Sequence, residues 1–312
     1  MSRKILITGG AGFVGSHLSD KLVGQEDTIL VVDNYSTGRR DNLEEKPNLK
    51  IIEGTIADKK LVDDLFDDFK PELVVHAAAS YKDPNNWEED GLTNVVGTAN
   101  VVQASKRVNV QRLIYFQTAL CYGLIPLEQP ITLDHPILPD GSSYAITKTG
   151  GERLIKLGGL DYVSFRLANA YGPRNISGPL PTFYQRLMNN KPCFVMDTRR
   201  DFIYIDDLVD VVMKALDGEG ERGAYHVSSG SDYSIKELFD ATLSVLGITL
   251  DKPVEERPRN PDDAFTILLD PSKTNADFGW KVTTDLKYGV GKAIDYYGEF
   301  GIDETFTHLK IE

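Results

Sequence analysis

The sequence predicts an α/β fold, a doubly wound parallel sheet of about seven strands with a smaller C-terminal α/β lobe. Two observations indicate the sheet. A glycine-rich turn follows the first apolar strand, and short apolar strands then alternate with helices. A third observation indicates the lobe, because prolines and glycines interrupt this alternation from about residue 170 onward. We therefore expect one domain over 1–169 with a return segment at about 201–229, and a lobe over 170–200 and 230–312.

Composition limits the possible partners and compartments. Of the 312 residues, 41% are hydrophobic and 26% are charged, as in ordinary globular proteins, and the net charge is −13. This acidity argues against nonspecific binding to nucleic acid or to an anionic membrane. The two cysteines, Cys121 and Cys193, provide neither a disulfide framework nor a zinc spacing, so no metal is expected. We find no signal sequence and no apolar run that could span a bilayer, and we expect a cytoplasmic protein.

The glycine turn predicts a binding site for an anion. Gly9, Gly12 and Gly15 follow the apolar strand 5–8, and a helical pattern follows them. Glycines allow a pyrophosphate to approach the backbone, and the helix N-terminus offers free N–H groups. The next strand, 28–33, ends in Asp33, about twenty residues further on, where a ribose hydroxyl acceptor is expected. The turn therefore predicts dinucleotide binding, and the acid favours NAD, while Arg39 and Arg40 leave NADP as the alternative.

The remaining elements follow in order. We predict further strands at 48–53, 73–79, 112–116, 162–166 and 223–228, and helices at 59–69, 92–107 and 144–157. In the helix 92–107, the apolar residues expected to face inward are Leu92, Val95, Val96, Ala99 and Val102. Right-handed crossovers place a ligand at the carboxyl ends of such strands. His76, at one strand end, is more simply a core histidine than a catalytic one.

Tyr144 and Lys148 form a candidate catalytic pair. They lie four residues apart and therefore on one face of the helix 144–157. A phenol with an ordinary pKa of about 10 is a poor base at neutral pH. A neighbouring ammonium group and an oxidised nicotinamide would both lower the pKa of Tyr144.

At this point the chain resembles the extended short-chain dehydrogenases/reductases, in the branch of nucleotide-sugar epimerases and dehydratases. The resemblance covers almost the whole length, and some details are similar to bacterial polysaccharide-biosynthesis epimerases. It rests on the glycine turn and on further segments at 33–34, 76–78, 94–98, 118–123, 144–148, 166–173, 200–207 and 270–280.

The resemblance implies a role for each matching residue. Tyr144 is the catalytic base, Lys148 binds the nicotinamide ribose, and Thr118 hydrogen-bonds the reacting sugar oxygen. The implied NAD site consists of Gly9, Gly12, Phe13, Val14, Gly15, Asp33, Asn34, Ile56, Asp58, Ala77, Ala78, Asn94, Tyr144 and Lys148. The implied contacts with a UDP-sugar are Thr118, Asn169, Arg200 and Arg259, and Lys82 is a further candidate substrate contact that the resemblance does not supply.

One position departs from the family pattern, and the roles of two arginines have alternatives. Thr55 stands where the family has the aspartate that receives the adenine amine, and either its hydroxyl or Asp58 is expected to substitute. Arg200 is expected to contact phosphate rather than to form an ion pair with Asp201 or Asp206. For Arg259, a phosphate contact and a structural role are about equally supported.

The residue two positions after Thr118 indicates the reaction. Similar dehydratases and decarboxylases carry an acid in this run, and enzymes that epimerise C3 or C5 carry a cysteine. Here the position is Leu120, and Cys121 is expected to point away from the site. One base suffices for a nucleotide-sugar 4-epimerase acting through a 4-keto intermediate, and we expect the substrate to be a UDP-hexose. The alternatives are a nucleotide-sugar dehydrogenase or 4-ketoreductase and a non-catalytic NAD-binding scaffold.

The resemblance also bears on the assembly, and it leaves the sugar undefined. It implies a homodimer in which the helices 92–107 and 144–157 pair with their copies. The sugar itself is left open, because Lys82 or Arg174 would recognise a C6 carboxylate only if either faces the sugar.

Overall fold

A parallel sheet is the centre of the computed structural model, which describes residues 2–260, 263–302 and 304–306. The strands, in chain order, are β1 (Lys4–Thr8), β2 (Thr28–Asp33), β3 (Leu49–Glu53), β4 (Leu73–His76), β5 (Arg112–Thr118), β6 (Tyr162–Leu167), β7 (Asn169–Tyr171), β8 (Phe194–Met196), β9 (Arg199–Arg200), β10 (Phe202–Tyr204), β11 (Gly223–Val227), β12 (Tyr233–Ser234) and β13 (Glu255–Arg257). The central sheet has the order β11-β6-β5-β4-β1-β2-β3.

The strand order reverses between β1 and β4. Ile5 lies in register with Ile29 of β2 on one side and with Leu73 of β4 on the other. In open parallel sheets, ligands bind beyond the carboxyl ends of the strands at such a reversal. The predicted doubly wound sheet is thus confirmed, and the glycine turn after β1 lies at this reversal.

Helices cover both faces of the sheet. They are α1 (Phe13–Val23), α2 (Lys59–Phe69), α3 (Trp87–Asp90), α4 (Thr98–Arg107), α5 (Ser143–Gly158), α6 (Pro179–Met188), α7 (Ile205–Leu216), α8 (Ile235–Leu246), α9 (Ser272–Phe278) and α10 (Leu286–Phe300). Ile5 and Ile7 pack with Leu18 of α1, whereas Leu6 packs on the other face with Phe66 of α2. Alternate residues of one buried strand thus hold the two helical layers.

The segment between α3 and α4 differs from the predicted helix. Residues 91–97 form a π-helix, whose hydrogen bonds span five residues rather than four and therefore turn the side chains to other directions. Thr93 and Asn94 are buried, whereas Leu92 and Val96 are 40% and 43% exposed. The prediction that Leu92 and Val96 face inward is therefore wrong.

The later part of the chain adds small two-stranded sheets and a helical layer. The strand pairs are β7 with β10, β9 with β12, and β8 with β13. The rings of Phe183 in α6 and Phe239 in α8 lie 4.9 Å apart, and those of Tyr184 in α6 and Tyr297 in α10 lie 5.3 Å apart. No helix within the described ranges is both long and apolar enough to cross a membrane.

Candidate active site

A cavity of about 1000 Å³ lies at the carboxyl ends of the central strands and extends to residues of the later helices. Most of the predicted site residues line it: Gly9, Gly12, Phe13, Val14, Gly15, Asp33, Asn34, Ile56, Ala77, Ala78, Lys82, Thr118, Tyr144, Lys148, Asn169 and Arg200. Three predicted site residues, Asp58, Asn94 and Arg259, do not line the cavity.

The glycine turn fits a pyrophosphate. Gly9 has a φ of +69°, which favours glycine, and its N–H donates to the carbonyl of Val32 at 2.8 Å. A Cβ on Gly9 would lie 2.6 Å from Cα of Ala78, so any side chain there would meet the backbone that follows β4. Phe13 and Gly15, in the first turn of α1, line the cavity, where free helical N–H groups bind anions.

Asp33 fits the ribose of a dinucleotide. Its Oδ2 accepts from the N–H of Ala11 at 2.8 Å and its Oδ1 from the N–H of Tyr35 at 2.7 Å. Burial raises the pKa of the carboxyl, and these backbone hydrogen bonds oppose the increase. Arg40 pairs with Glu53 at 2.6 Å, and Arg39 pairs with Asp41. Because both arginines have acidic partners, the site favours NAD over NADP.

At the adenine end, the structure favours Thr55 over Asp58. The side chain of Asp58 caps α2 by accepting from the N–H of Leu61 at 3.1 Å, and Asp58 lies outside the cavity lining. The short polar side chain immediately before a helix satisfies an otherwise free N–H group, which explains its position. Thr55 and Ile56 line the cavity instead. The assignment of Asp58 as a cofactor contact is therefore corrected.

Asn94 supports the cavity from behind. Its side chain donates to the carbonyl of Ser80 at 3.0 Å and to Oγ1 of Thr147 at 3.1 Å, and it accepts from the N–H of Ser80 at 3.0 Å. The buried amide thus uses its donors and its acceptor within the protein, and it ties the loop after β4 to α5. The assignment of Asn94 as a direct cofactor contact is corrected to this supporting role.

Thr118, Tyr144 and Lys148 line the same cavity from two elements. Thr118 ends β5, and its Oγ1 accepts from the N–H of Leu120 at 3.2 Å. Ser142 caps α5 by accepting from the N–H of Ala145, so the helix begins just before Tyr144. The strand end and the first two turns of α5 therefore bring the predicted base, the lysine and the hydroxyl together.

Burial moves the pKa values of the catalytic pair in opposite directions. It raises the pKa of Tyr144 above its usual value, and the nearby Tyr81 and Asp90 add to the increase. It lowers the pKa of Lys148 to about 7, against the opposing effect of Glu152. The expectation that the lysine lowers the pKa of Tyr144 is therefore not met by the side chains alone, because burial of the phenol dominates.

The turn after Thr118 offers no second group for proton transfer to the cavity. Residues Ala119–Tyr122 form a 3₁₀ helix rather than continuing the strand, and Leu120 does not line the cavity. Cys121 is fully buried, and burial raises the pKa of its thiol to about 12. Cys121 thus packs as a small apolar residue, as the sequence predicts, although a 3₁₀ helix rather than strand alternation turns it away.

Arg200 lines the cavity with a partner that the sequence does not suggest. Its Nη2 donates to both carboxylate oxygens of Asp263, at 2.7 and 2.9 Å, and its Nη1 donates to the carbonyl of Ala264. Neither Asp201 nor Asp206 is the partner. Arg259 donates to the carbonyl of Asp263 at 2.5 Å and is exposed outside the cavity lining, so it holds the same segment. Its predicted phosphate contact is not supported, and the neighbouring Asp262 lies outside the described residues.

Of the two cationic residues considered for a sugar carboxylate, Lys82 lines the cavity and Arg174 does not. Lys82 lines the cavity, with its Nζ 3.6 Å from Glu304 and 4.5 Å from the ring centroid of Phe306. Arg174 pairs with Asp20 at 2.7 Å and does not line the cavity. Asn169 lines the cavity and donates from its side chain to the carbonyl of Asp201 at 3.3 Å.

Several lining residues were not predicted: Tyr81, Arg186, Asp263 and Phe306. The ring of Tyr81 lies 6.3 Å from that of Tyr144 in an edge-to-face arrangement. Its position just after the small residues that follow β4 is a signal that sequence analysis could have used. Arg186 and Phe306 carry no such signal, because they are distant in sequence from every motif.

The comparisons with known proteins agree with this geometry. Residues 5–228 match the model of the NAD dependent epimerase/dehydratase family. Among solved structures, the Bordetella bronchiseptica enzyme WbmH in complex with NAD+ is 51% identical with a TM-score of 0.93, covering 97% of this chain and 100% of its own. The enzyme WbmG of the same organism, in complex with NAD and UDP, is 44% identical with a TM-score of 0.92, and both chains are fully covered.

A curated relative points the same way. The putative UDP-glucose 4-epimerase of Methanocaldococcus jannaschii is 30% identical over 307 residues, which cover 94% of this chain and 97% of the relative. The chain therefore belongs to the NAD-dependent epimerase/dehydratase family, and it is an NAD-dependent enzyme. The predicted family and cofactor are confirmed.

Proposed function

We propose that this protein is a UDP-hexose 4-epimerase in which Tyr144 is the base. One observation carries the proposal. Thr118 and Tyr144 share the cavity, while the turn after Thr118 contributes no second acid or base to it. A dehydratase or a C5 epimerase must move a proton on carbon as well as on oxygen, and this requires a second group. Inversion at C4 requires proton transfer at one oxygen only.

The residues divide the work at C4 as follows. Tyr144 takes the proton of the C4 hydroxyl, and Thr118 hydrogen-bonds the same oxygen as it becomes a carbonyl. Bound NAD would supply the acceptor for the C4 hydrogen and its electron pair, and the donor for their return. The 4-keto sugar turns over between the two transfers, and Tyr144 then returns its proton to the new C4 oxygen. Lys148, in the charged form, favours the phenolate of Tyr144 electrostatically.

The same cavity fits the cofactor and the nucleotide. The glycine turn and Asp33 would hold the pyrophosphate and ribose of NAD, and Lys148 the nicotinamide ribose. Asn169, Arg186 and Arg200 would hold the diphosphate and uridine. A sugar that turns over needs firm anchoring at the diphosphate and few tight contacts of its own, because tight contacts with one orientation oppose the turn.

Tyr144→Phe tests the assigned base. The variant keeps the ring and its contact with Tyr81 but loses the hydroxyl, so we expect C4 epimerisation of UDP-hexoses to fall at least about 100-fold. Turnover is measured by NMR of the sugar product, and binding of UDP by calorimetry. The expected binding is unchanged. A variant that binds UDP and retains wild-type turnover would refute Tyr144 as the base.

We also propose that the chain forms a homodimer through α5 and residues 91–107. Apolar side chains protrude from this surface: Leu92, Val96 and Ile146 are 40%, 43% and 50% exposed. Burial of such side chains against a second copy releases water from apolar surface and stabilises association. This surface lies on the opposite side of α5 from the buried Lys148.

A further inference from the structure

Glu152 extends the catalytic face of α5 by one more turn. Tyr144, Lys148 and Glu152 are spaced four residues apart, so they follow one another along one face of the helix. Both Lys148 and Glu152 are almost fully buried, at 2% and 8% exposure. A carboxylate placed this way must have partners, since an unpaired buried charge is costly.

The partners of Glu152 are the guanidinium of Arg166 and the hydroxyl of Ser164. Its Oε1 accepts from Oγ of Ser164 at 2.5 Å and from Nε of Arg166 at 3.2 Å, and its Oε2 accepts from Nη2 of Arg166 at 3.0 Å. Arg166 also donates from Nη1 to the hydroxyl of Tyr122 at 2.7 Å, which leaves that hydroxyl to donate to Nε2 of His226 at 2.6 Å. This chain fixes the carboxylate between α5 and β6.

The surroundings of Lys148 leave Glu152 as the carboxylate that acts on it. The Nζ lies 4.0 Å from the ring centroid of Tyr115, and burial opposes its charge while Glu152 supports it. The pKa of His76 on β4 is lowered to about 3, so its ring is neutral. Burial also raises the pKa values of Tyr115, whose ring contacts the ammonium group, and of Tyr144, one turn earlier on α5, so without a bound cofactor neither phenol supplies a negative charge near neutral pH.

Two charged side chains on the elements packed against α5 have partners other than Lys148. Arg166 on β6 is paired with Glu152 itself, and Asp90 on α3 accepts from Oγ of Ser80 at 2.8 Å and acts on Tyr144. The adjoining residues Asn94 and Thr98 are uncharged.

We propose that Glu152 is a positioning residue whose buried carboxylate keeps Lys148 protonated in the active site. Lys148 in turn favours the phenolate of Tyr144, so the proposal rests on the proposed function in that step. Arg166 and Ser164 hold the carboxylate one helical turn from the lysine, and Tyr122 and His226 hold the arginine.

Lysine NMR tests this directly. Protein labelled with ¹³C at lysine Cε and saturated with NAD is titrated between about pH 5 and pH 10, and Lys148→Met identifies the Lys148 resonance. Glu152→Gln should lower the pKa of Lys148 by about one unit, because a nearby opposite charge is lost. Ser164→Ala is the matched control, since it removes a hydrogen bond but no charge, and Glu152→Asp should restore most of the shift. Equal Lys148 pKa values in the wild type and in Glu152→Gln would overturn the proposal.

Two additions keep the test decisive. If Glu152→Gln fails to fold because Arg166 is left unpaired, the double variant Glu152→Gln, Arg166→Gln removes both charges and should still lower the pKa of Lys148. In kinetics, Glu152→Gln should move the alkaline limb of kcat to lower pH without changing KM, whereas a merely structural defect lowers kcat at every pH. If the wild type epimerises no UDP-hexose, the proposed function fails, while the NMR titration still decides on Glu152.

Discussion

At the scale of single residues, Asp33 shows how one buried carboxylate can organise a cofactor site. It accepts two backbone N–H groups and still lines the cavity. Asp33→Asn keeps an acceptor for one of these groups but loses the charge, so we expect about tenfold weaker NAD binding. Calorimetry on protein freed of cofactor measures this, with Asp41→Asn as an exposed control. Unchanged NAD affinity in Asp33→Asn would contradict the assigned ribose contact.

Some residues of the site could be predicted from the sequence, and others could not. The glycine turn, Asp33, Thr118, Tyr144 and Lys148 line the cavity because each stands at the end of a strand or the start of a helix, where neighbours fix its direction. Asp58 instead caps α2, a role that its position directly before the helix could have suggested. Arg200 and Arg259 were harder still, since both bond the segment 263–264, which approaches them only in the folded chain.

At the scale of elements, the π-helical segment 91–97 inverts the expected packing. Polar Thr93 and Asn94 are buried, and apolar Leu92 and Val96 are exposed. A pattern based on 3.6 residues per turn could not show this, because the wider turn of a π-helix points successive side chains in other directions. The buried polar side chains instead serve the active site, as the hydrogen bonds of Asn94 to Ser80 and Thr147 illustrate.

Ile146→Asp tests the proposed dimer surface, which α5 forms together with residues 91–107. The side chain is 50% exposed on α5, so a charge there costs the folded monomer little, but it would be buried in the proposed homodimer. We expect the wild type to be a dimer and the variant a monomer at micromolar concentration, measured by light scattering after gel filtration. Exposed Leu127→Asp, outside the proposed interface, should stay dimeric. A dimeric Ile146→Asp would exclude this interface.

At the scale of the whole molecule, buried titrating groups couple stability to pH. Burial lowers the pKa of His76 to about 3 and that of His226 to about 4, whereas it raises the pKa of Asp201 to about 6. Below about pH 6.5 the unfolded chain binds protons at these two histidines, and the native state does not. The free energy of unfolding therefore decreases as the pH falls through this range. Asp201 acts oppositely, because its native carboxyl binds a proton more tightly than the unfolded one.

His76→Gln isolates one of these contributions. The histidine bonds Oγ1 of Thr8 at 2.7 Å and Oγ1 of Thr98 at 2.9 Å, and glutamine offers an uncharged replacement. Between pH 6 and pH 4, the free energy of unfolding of the variant should fall less steeply than that of the wild type, by about 1.4 kcal/mol per pH unit. Urea unfolding followed by circular dichroism measures both slopes. Parallel slopes would show that His76 titrates normally in the fold.

The fold as a whole was predictable because the alternation of strands and helices and the glycine turn are local patterns. The expected division into 1–169 and the later lobe remains a prediction. The small strand pairs of the later chain were not predicted, because strands of two or three residues such as β9 and β12 are too short to show a period.

An isotope experiment tests the central claim most directly. Purified protein is incubated with a UDP-hexose carrying deuterium at C4, with no NAD added, over glucose, N-acetylglucosamine and uronic-acid forms. If Tyr144 is the sole base and the C4 hydrogen is removed and returned within one site, the C4 epimer forms and keeps its deuterium. Loss of deuterium to solvent or a product lacking water would contradict the account, as would net reduction of NAD in a parallel incubation to which NAD is added.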